Sequence, residues 1–168
     1  MLFGTPETHD GELRVAVTHD DGKPVFSQFD NVTVTAVTEE SITFDTGDTP
    51  LDQYDGTIAA AAVENSKTWF GRKVQATTID KAYQPSTGGS LQCLRVENTK
   101  VWNTDREDAQ VEVGQRCDVV VDLNRLWFVK RHFGAEWIVA QIRVHPPQPQ
   151  ETADPYGEYL FQGGAGDQ

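Results

Sequence analysis

Seven short segments with alternating apolar and polar residues constrain the fold of this chain more than any other feature. They are rich in Val, Ile, Thr and aromatic residues, and turn sequences such as Asp-Asp-Gly, Thr-Gly-Asp and Gly-Gly separate them. Alternation with a period of two is typical of strands that bury one face. The predicted strands cover residues 13–18, 31–37, 41–45, 91–96, 100–102, 117–123 and 137–144. The sequence therefore predicts a mainly β protein.

One stretch breaks this alternation and predicts a helix over residues 50–70. Thr49 offers an N-cap hydroxyl, Pro50 suits the first helical position, and Gly71 offers a stop. A stripe of residues at helical spacing lies between them. Its members are Leu51, Tyr54, Ile58, Ala62 and Trp69. A second, shorter helix is predicted over residues 77–83.

Charge is distributed unevenly along the chain. Residues 67–143 hold twelve of the fourteen Lys and Arg residues, nine of the 26 acids and all four tryptophans, which gives this segment a net charge of +3. Residues 1–66 carry −11 and residues 144–168 carry −4, and the whole chain carries −12 at pH 7. A basic, aromatic-rich segment inside an acidic chain is typical of proteins that bind a charged polymer with stackable rings.

The chain length predicts one domain with a terminal segment at each end. At 168 residues and 38% apolar composition, the chain is long enough for a single core. Prolines interrupt the sequence after residue 145, where ladder hydrogen bonds cannot continue. We expect an N-terminal β extension at 1–40, a core at 41–145 and an acidic, Pro/Gly-rich tail at 146–168. Within the tail, residues 154–161 carry three aromatics that suit docking on the domain or on a partner.

Signals of catalysis, metal binding and secretion are weak. Cys93 and Cys117 are too few and too far apart for a disulfide scaffold or a zinc ribbon, so we expect reduced packing residues. The four histidines are scattered, and the sequence has no Gly-rich phosphate loop and no HExxH or GxSxG motif. We therefore expect a protein that is not an enzyme and that needs no metal or cofactor. The N-terminus has no signal-peptide pattern, and we expect an intracellular location.

The segment 137–144 carries the first candidate site. Unbroken alternation predicts a buried row of Ile138, Ala140, Ile142 and Val144. The predicted outward row is Trp137, Val139, Gln141 and Arg143. A Trp and an Arg on one exposed row suit base stacking and phosphate contact, and stacking of one base is worth about 1–3 kcal/mol. The alternative, in which Trp137 is an ordinary core residue, stays open.

Further basic and aromatic residues lie near this segment or share its pattern. Lys100 and Trp102 fall on one face of their strand, while Arg72 and Lys73 follow the long helix. The alternative for the basic residues is a solvated turn or a helix end, and Trp69 is favoured as a core anchor. The full set predicted to bind nucleic acid is Trp137, Trp127, Trp102, Arg143, Lys130, Arg131, Arg125, Lys100, Arg95, Arg72 and Lys73.

Several of these segments, in this order, resemble a known family. They are Ile-Thr-Phe-Asp at 42–45, Asn-Ser-Lys-Thr-Trp-Phe-Gly-Arg-Lys at 65–73, Leu-Gln-Cys-Leu-Arg-Val at 91–96, Leu-Trp-Phe at 126–128, Phe-Gly at 133–134 and Trp-Ile-Val-Ala-Gln-Ile-Arg-Val at 137–144. Together they resemble the single-stranded DNA-binding protein family of nucleocytoplasmic large DNA viruses, which is distantly similar to phage-replisome single-stranded DNA-binding proteins. The similarity covers roughly residues 42–144.

The resemblance implies an OB-fold, a five-stranded barrel with its main helix between the first and second barrel strands, plus an extra N-terminal β element. It also implies sequence-independent binding of single-stranded DNA during viral DNA replication, recombination or repair. The expected location is the infected host cell, in the nucleus or at a cytoplasmic replication site.

Two departures from the family pattern matter. The tail carries only −4 and keeps Phe161 internal, which weakens the expectation that it recruits replication proteins. Residues 1–40 have no counterpart in the pattern, which leaves a homo-oligomer or a virion contact open. The alternative function is a small β-rich virion or scaffold protein that acts through protein–protein contacts. The two functions differ in whether the predicted basic residues and tryptophans line one groove.

Overall fold

The computed structural model describes residues 1–47, 51–86 and 89–146. In chain order, its strands are β1 (Leu2–Phe3), β2 (Glu7–His9), β3 (Glu12–Thr18), β4 (Phe26–Val37), β5 (Ser41–Asp45), β6 (Tyr83–Gln84), β7 (Ser90–Leu94), β8 (Lys100–Trp102), β9 (Arg116–Val129) and β10 (His132–Val144). The helices are α1 (Asp52–Glu64), α2 (Ser66–Phe70) and α3 (Ala76–Ala82), all between β5 and β6.

Five strands close into a barrel. Strand β4 pairs with β5, β5 with β7, β7 with β10 and β10 with β9, and β9 returns to β4. All of these pairings are antiparallel except that of β7 with β10, which is parallel. A closed five-stranded Greek-key barrel with its third and fifth strands parallel is the OB-fold. The predicted fold class, mainly β with a five-stranded barrel and a helix, is confirmed.

The structure corrects where the helices enter the barrel. Strand β4 pairs with both β5 and β9, so it is the first barrel strand and the helices lie between the second and third. The prediction placed residues 31–37 in the N-terminal extension and counted 41–45 as the first strand. Alternation shows that a segment is a strand but not what it pairs with, and the partner of Phe29 is Val119, far along the chain. The predicted boundary at residue 40 falls in the β4–β5 turn.

Five further strands of the described chain, β1, β2, β3, β6 and β8, lie outside the closed ring, and β6 pairs with the start of β10. Strand β3 pairs with β9, and β1 and β2 pair with β3. The N-terminal β element is thus a sheet that extends the barrel along β9. Strand β8 was expected within the barrel, but among the described strands it pairs with β10 alone, at residues 141–143, beyond β7.

The helices bury the predicted apolar stripe. Leu51, Ile58, Ala62 and Trp69 are buried, and Tyr54 is partly buried. The predicted single helix is divided at Asn65, which ends α1 and precedes α2. Gly71 ends α2 in the left-handed region at φ 76°, as expected of a helix stop. The predicted N-terminal residues Thr49 and Pro50 lie outside the described residues.

An aromatic cluster joins α2 to the β9–β10 hairpin. Trp69 packs edge-on against Phe128, with ring centroids 5.9 Å apart, and against Phe3 at 5.5 Å. Phe70 packs edge-on against both Phe128 and Phe133. Such pairs are worth about 0.5–1.5 kcal/mol each beyond the area that they bury. The cluster confirms Trp69 as a core anchor and ties the N-terminal sheet, the helix and the hairpin together.

Both cysteines are buried without a disulfide bond, as predicted. Burial raises the pKa of the Cys93 thiol to about 12. Burial, followed by the charge of Asp118, raises the pKa of Cys117 to about 12 as well. Both side chains are therefore protonated packing residues. Within the described ranges, we find no helix of the length and hydropathy needed to cross a membrane.

The pairing of Trp127 with Gly134 across the hairpin gives the first prediction. A Cβ on Gly134 would lie 2.8 Å from the Trp127 ring, whereas one on Gly56 of α1 would meet nothing within 4 Å. We expect Gly134→Ala to lower the free energy of unfolding by about 1–3 kcal/mol through overpacking. Gly56→Ala, the matched control, should leave it unchanged or raise it by up to ~1 kcal/mol. Urea denaturation measures both, and equal effects would contradict this packing.

Candidate nucleic-acid interface

Four neighbouring strands, β8, β10, β9 and β4, present one continuous outer surface, which we call the four-strand face. Residues paired across strands point to the same side of a sheet, so the register defines three rows on it. The first row is Trp102, Arg143 and Asp118; the second is Lys100, Gln141, Val120 and Gln28; the third is Ile138, Asp122 and Phe26. The face thus combines two aromatic rings, two amides and two basic side chains.

Asp118 organises the first row. Its Oδ2 accepts hydrogen bonds from Arg143 Nε at 2.9 Å and Nη2 at 2.6 Å. Its Oδ1 accepts the backbone N–H of Asn31 at 2.9 Å and lies 2.9 Å from His145 Nε2. Partial burial alone would raise the pKa of Asp118, but these hydrogen bonds outweigh it and hold the pKa below its ordinary value. The carboxylate therefore stays charged and fixes the Arg143 guanidinium beside Trp102.

The loop after β8 adds a third basic residue to the face. Asn103 Oδ1 accepts the backbone N–H groups of Asp105 at 2.8 Å and Glu107 at 3.0 Å, which closes a tight turn. Arg106 sits in this turn at φ 64°. Arg106 is absent from the set of residues predicted to bind nucleic acid. Asn103 is the sequence feature that could have indicated the position of Arg106, because an Asn at the start of a polar loop favours a tight turn.

A surface cavity of about 460 Å³ opens on the first two rows. Its lining residues are Gln28, Trp102, Asn103, Arg106, Asp118, Val119, Val120, Gln141, Ile142 and Arg143. The partly buried Trp102 supplies an aromatic wall, and the amide and guanidinium groups supply hydrogen-bond donors around it. An aromatic wall with charged donors at its rim suits a planar ring that is attached to an anionic backbone.

The third row is more apolar. The Phe26 side chain is 55% exposed, beside Asp122 and Ile138. Burial raises the pKa of Asp122, and the Val25 backbone N–H only partly offsets this. Its Oδ1 is buried and has no hydrogen-bond partner within the described residues. The third row therefore adds an exposed aromatic ring and one partly buried carboxyl to the four-strand face.

The structure shows that the predicted outward position of Trp137 is wrong. Its side chain is only 2% exposed, its Nε1 donates to Ser86 Oγ at 3.0 Å, and its ring packs edge-on against Tyr54. A β-bulge between Val139 and Gln141 reverses the alternation along β10. Trp137 and Val139 therefore face the core. Ile138 and Ala140, predicted to be buried, are partly exposed, whereas the predictions from Gln141 to Val144 are confirmed.

The other predicted residues do not line one groove. Lys100, Trp102 and Arg143 share the four-strand face. Arg125 forms an ion pair with Glu136 on a different surface, where Trp127 lies against Gly134. A third group, Arg72, Lys130 and Arg131, lines a separate cavity at the tip of the β9–β10 hairpin. Arg95 donates to the Thr38 carbonyl at 3.3 Å, and Lys73 is exposed beyond α2.

The outer surface of β5 and β7 lacks the aromatic and basic side chains of the four-strand face within the described residues. In OB-folds, the second and third strands commonly form the binding face. Here the side chains exposed on these two strands within the described residues are Asp45, Ser90, Gln92 and Leu94. None of these offers a ring for stacking. Farther round the barrel, at β8 and β10, an aromatic ring and basic side chains share one outer surface.

The topology and the four-strand face define an OB-fold protein with a polar, aromatic outer surface. The chain belongs to the family described as a family of unknown function (DUF5871), which matches residues 30–163. No curated protein matches it.

Two solved structures of one phage protein are similar in overall arrangement. The single-stranded DNA-binding protein from bacteriophage Enc34 is 13% identical, with a TM-score of 0.45, and the match covers 96% of this chain and 97% of that one. A C-terminal truncation of the same protein gives 13% identity and a TM-score of 0.45 over 93% and 97%. At this score the likeness carries no argument, and the fold assignment rests on strand order.

The buried position of Trp137 gives the second prediction. Trp137→Phe removes the indole N–H from Ser86 and leaves a gap beside Tyr54, so the free energy of unfolding should fall by about 1–3 kcal/mol. Binding of oligo-dT by the folded protein should not change, because the side chain faces the core. Thermal denaturation and fluorescence anisotropy on one sample measure the two quantities. If Trp137→Phe weakened oligo-dT binding without lowering the free energy of unfolding, Trp137 would belong to the interface.

Proposed function

We propose that this protein binds single-stranded nucleic acid across the four-strand face. The observation that carries the proposal is the pairing of Trp102 with Arg143 in one cross-strand row, with Lys100 on the same side of β8. One ring beside two basic side chains on the same surface can stack a base and contact its neighbouring phosphates. The proposed role is binding without catalysis.

The dimensions of the face suit a short single-stranded segment. From β8 to β4 there are three strand spacings, which amount to about 14 Å. Trp102 and Phe26 lie at opposite corners, two rows apart along the strands. Gln141 and Gln28 lie between them and can donate to base edges or to phosphate oxygens. A segment of a few nucleotides would place one base on Trp102 and the next bases over Val120 toward Phe26.

The chemistry of these contacts favours binding without sequence preference. Stacking on an aromatic ring is available to every base, and a guanidinium or ammonium group contacts any phosphate. The amide groups of flexible side chains add hydrogen bonds but do not select one base over another. The whole chain carries a net charge of −12, which opposes nucleic acid at long range, so affinity should be modest and most visible at low salt.

The biological setting comes from the sequence resemblance. The segments at 42–45, 65–73 and 126–144 resemble single-stranded DNA-binding proteins of large DNA viruses. We therefore propose a role in viral DNA replication, recombination or repair inside the infected cell. Replication proteins are the proposed partners of the C-terminal residues, which lie outside the described part of the chain.

One observation favours the alternative, a virion or scaffold protein. The predicted basic residues fall into separate groups, and Arg143 and Arg125 are each paired with a carboxylate. A protein that acts through protein–protein contacts would show this scatter and would not bind oligonucleotides. Anisotropy of labelled oligo-dT at several salt concentrations separates the two functions. Failure to bind at the lowest salt concentration favours the scaffold role.

The third prediction tests the stacking residue. Trp102→Ala should weaken oligo-dT binding by about 1–3 kcal/mol, the usual effect of losing one stacking ring. Trp127→Ala is the matched control, because Trp127 is also a partly buried tryptophan but lies on a different surface, against Gly134. Binding isotherms of both variants at one salt concentration decide the matter. Equal losses, or no loss in Trp102→Ala, would show that the ring is not in the interface.

The fourth prediction concerns Asp118. Because its folded-state pKa is lowered, the stability that it contributes is present above its ordinary pKa near 4 and is lost as pH falls through the folded value. Asp118→Asn should flatten the acid limb of the stability profile. It also removes a negative charge and loosens Arg143, so oligo-dT affinity should rise and the log–log salt slope should steepen by up to about 0.7.

Asp80→Asn is the control for this experiment. Asp80 is an exposed acid on α3, and its substitution changes the net charge by the same amount away from the four-strand face. A general charge effect would raise affinity equally in both variants. Only an effect confined to Asp118→Asn supports a local role of the Asp118–Arg143 pair.

A further inference from the structure

A second surface, which we call the hairpin groove, differs in chemistry from the four-strand face. It is a cavity of about 750 Å³ between the tip of the β9–β10 hairpin and helices α2 and α3. Its floor is apolar and includes Leu13, Phe70, Val74, Ile79, Ala82 and Phe128. Arg72, Lys130 and Arg131 stand at its rim and are exposed.

The groove is basic in a strongly acidic chain. Its lining contains no carboxylate, whereas three other surface cavities of the described chain include Asp118, Glu112 and Glu7 respectively. Within the described residues, none of the three rim cations forms an ion pair. The groove therefore offers uncompensated positive charge above an apolar floor, which suits an acidic segment with apolar anchors.

The floor is a poor stacking platform for bases. Phe128 packs edge-on against Trp69 and Phe70, and it stacks on Phe133 with ring centroids 5.5 Å apart. These rings are occupied by one another, so the floor can receive aliphatic or aromatic side chains at its surface but cannot sandwich a base. An apolar peptide segment therefore fits this groove better than a nucleic-acid strand does.

The chain itself carries a segment of the required chemistry. Residues 151–161 contain the acids Glu151, Asp154 and Glu158, no basic residue, and the apolar run Tyr159-Leu160-Phe161. The family match extends to residue 163, well past the last barrel strand at Val144, so this segment belongs to the part of the chain that the family shares. The barrel closes without this segment, so the fold does not explain why the family match includes it.

The length of the chain permits the contact. The groove lies at the end of the hairpin where β10 begins, and β10 is 13 residues long, or about 43 Å when fully extended. Phe161 lies fifteen positions after Pro146, a separation that spans up to about 50 Å. The segment can therefore return along β10 to the groove of its own molecule, or enter the groove of a neighbouring copy.

We propose that residues 156–161 dock in the hairpin groove, with Glu158 at the basic rim of Arg72, Lys130 and Arg131 and the Tyr159–Phe161 run on the apolar floor. This contact is separate from the four-strand face and does not depend on nucleic-acid binding. It gives the basic hairpin tip a protein ligand and leaves the four-strand face free.

Hydrogen exchange of the full chain, followed by mass spectrometry, tests the docking. Amides of residues 156–161 should exchange at least about tenfold more slowly than those of a free peptide with the same sequence. Arg72→Glu combined with Arg131→Glu should restore the peptide rate. Lys67→Glu combined with Lys73→Glu, a matched control with the same charge change outside the groove lining, should keep the protection.

The same data set shows whether each variant is folded, because β10 amides stay protected only in an intact barrel. If the groove variant does not fold, the double variant Tyr159→Ala with Phe161→Ala replaces it. Both substitutions lie outside the barrel, and we expect them to abolish the protection of residues 156–161. Peptide-like exchange in the unmodified chain overturns the proposal. So does protection that survives in a folded groove variant, or a groove variant that loses oligo-dT affinity while protection of 156–161 is unchanged.

Discussion

Strand β9 is the element on which the rest of the structure depends. It hydrogen-bonds to β3, β4 and β10, so it closes the barrel, carries the N-terminal sheet and forms one side of the hairpin. Its alternating residues place Val119, Val121 and Leu123 in the core and Asp118, Val120 and Asp122 on the four-strand face. Because one strand supplies both surfaces, a shift of its register by a single residue would exchange them. The fold and the proposed interface are therefore specified by the same pairings.

The bulge in β10 decides which residues reach the interface. It turns Trp137 and Val139 into the core while Gln141 and Arg143 stay outside. Thr99 Oγ1 donates to the Val139 carbonyl at 2.8 Å, which fills the gap where β7 ends and β8 begins. This connection brings Trp102 beside Arg143. The bulge thus places Trp137 in the core, and Trp102 of β8 supplies the aromatic ring beside Arg143.

The sequence predicted local elements better than their assembly. Strands 41–45 and 100–102 match the structure, as do the apolar stripe from Leu51 to Trp69 and the stop at Gly71. These depend on spacing and on turn chemistry within a few residues. The place of β4 in the barrel, the bulge after Val139 and the separation of the basic residues into groups depend on pairings far along the chain, such as Phe29 with Val119. Alternation carries no record of such partners, which is why Trp137 was predicted to face outward although the bulge turns it into the core.

Photo-crosslinking tests the central claim, that single-stranded nucleic acid lies on the four-strand face. An oligo-dT substituted with bromodeoxyuridine would be irradiated with the full chain at low salt, and the attached peptide would be identified by mass spectrometry. We expect the oligo-dT to attach at Trp102 and, as the second site, at Phe26 on the far corner of the four-strand face. Attachment confined to β5 and β7 or to the hairpin groove, or no attachment at any salt concentration, would contradict it.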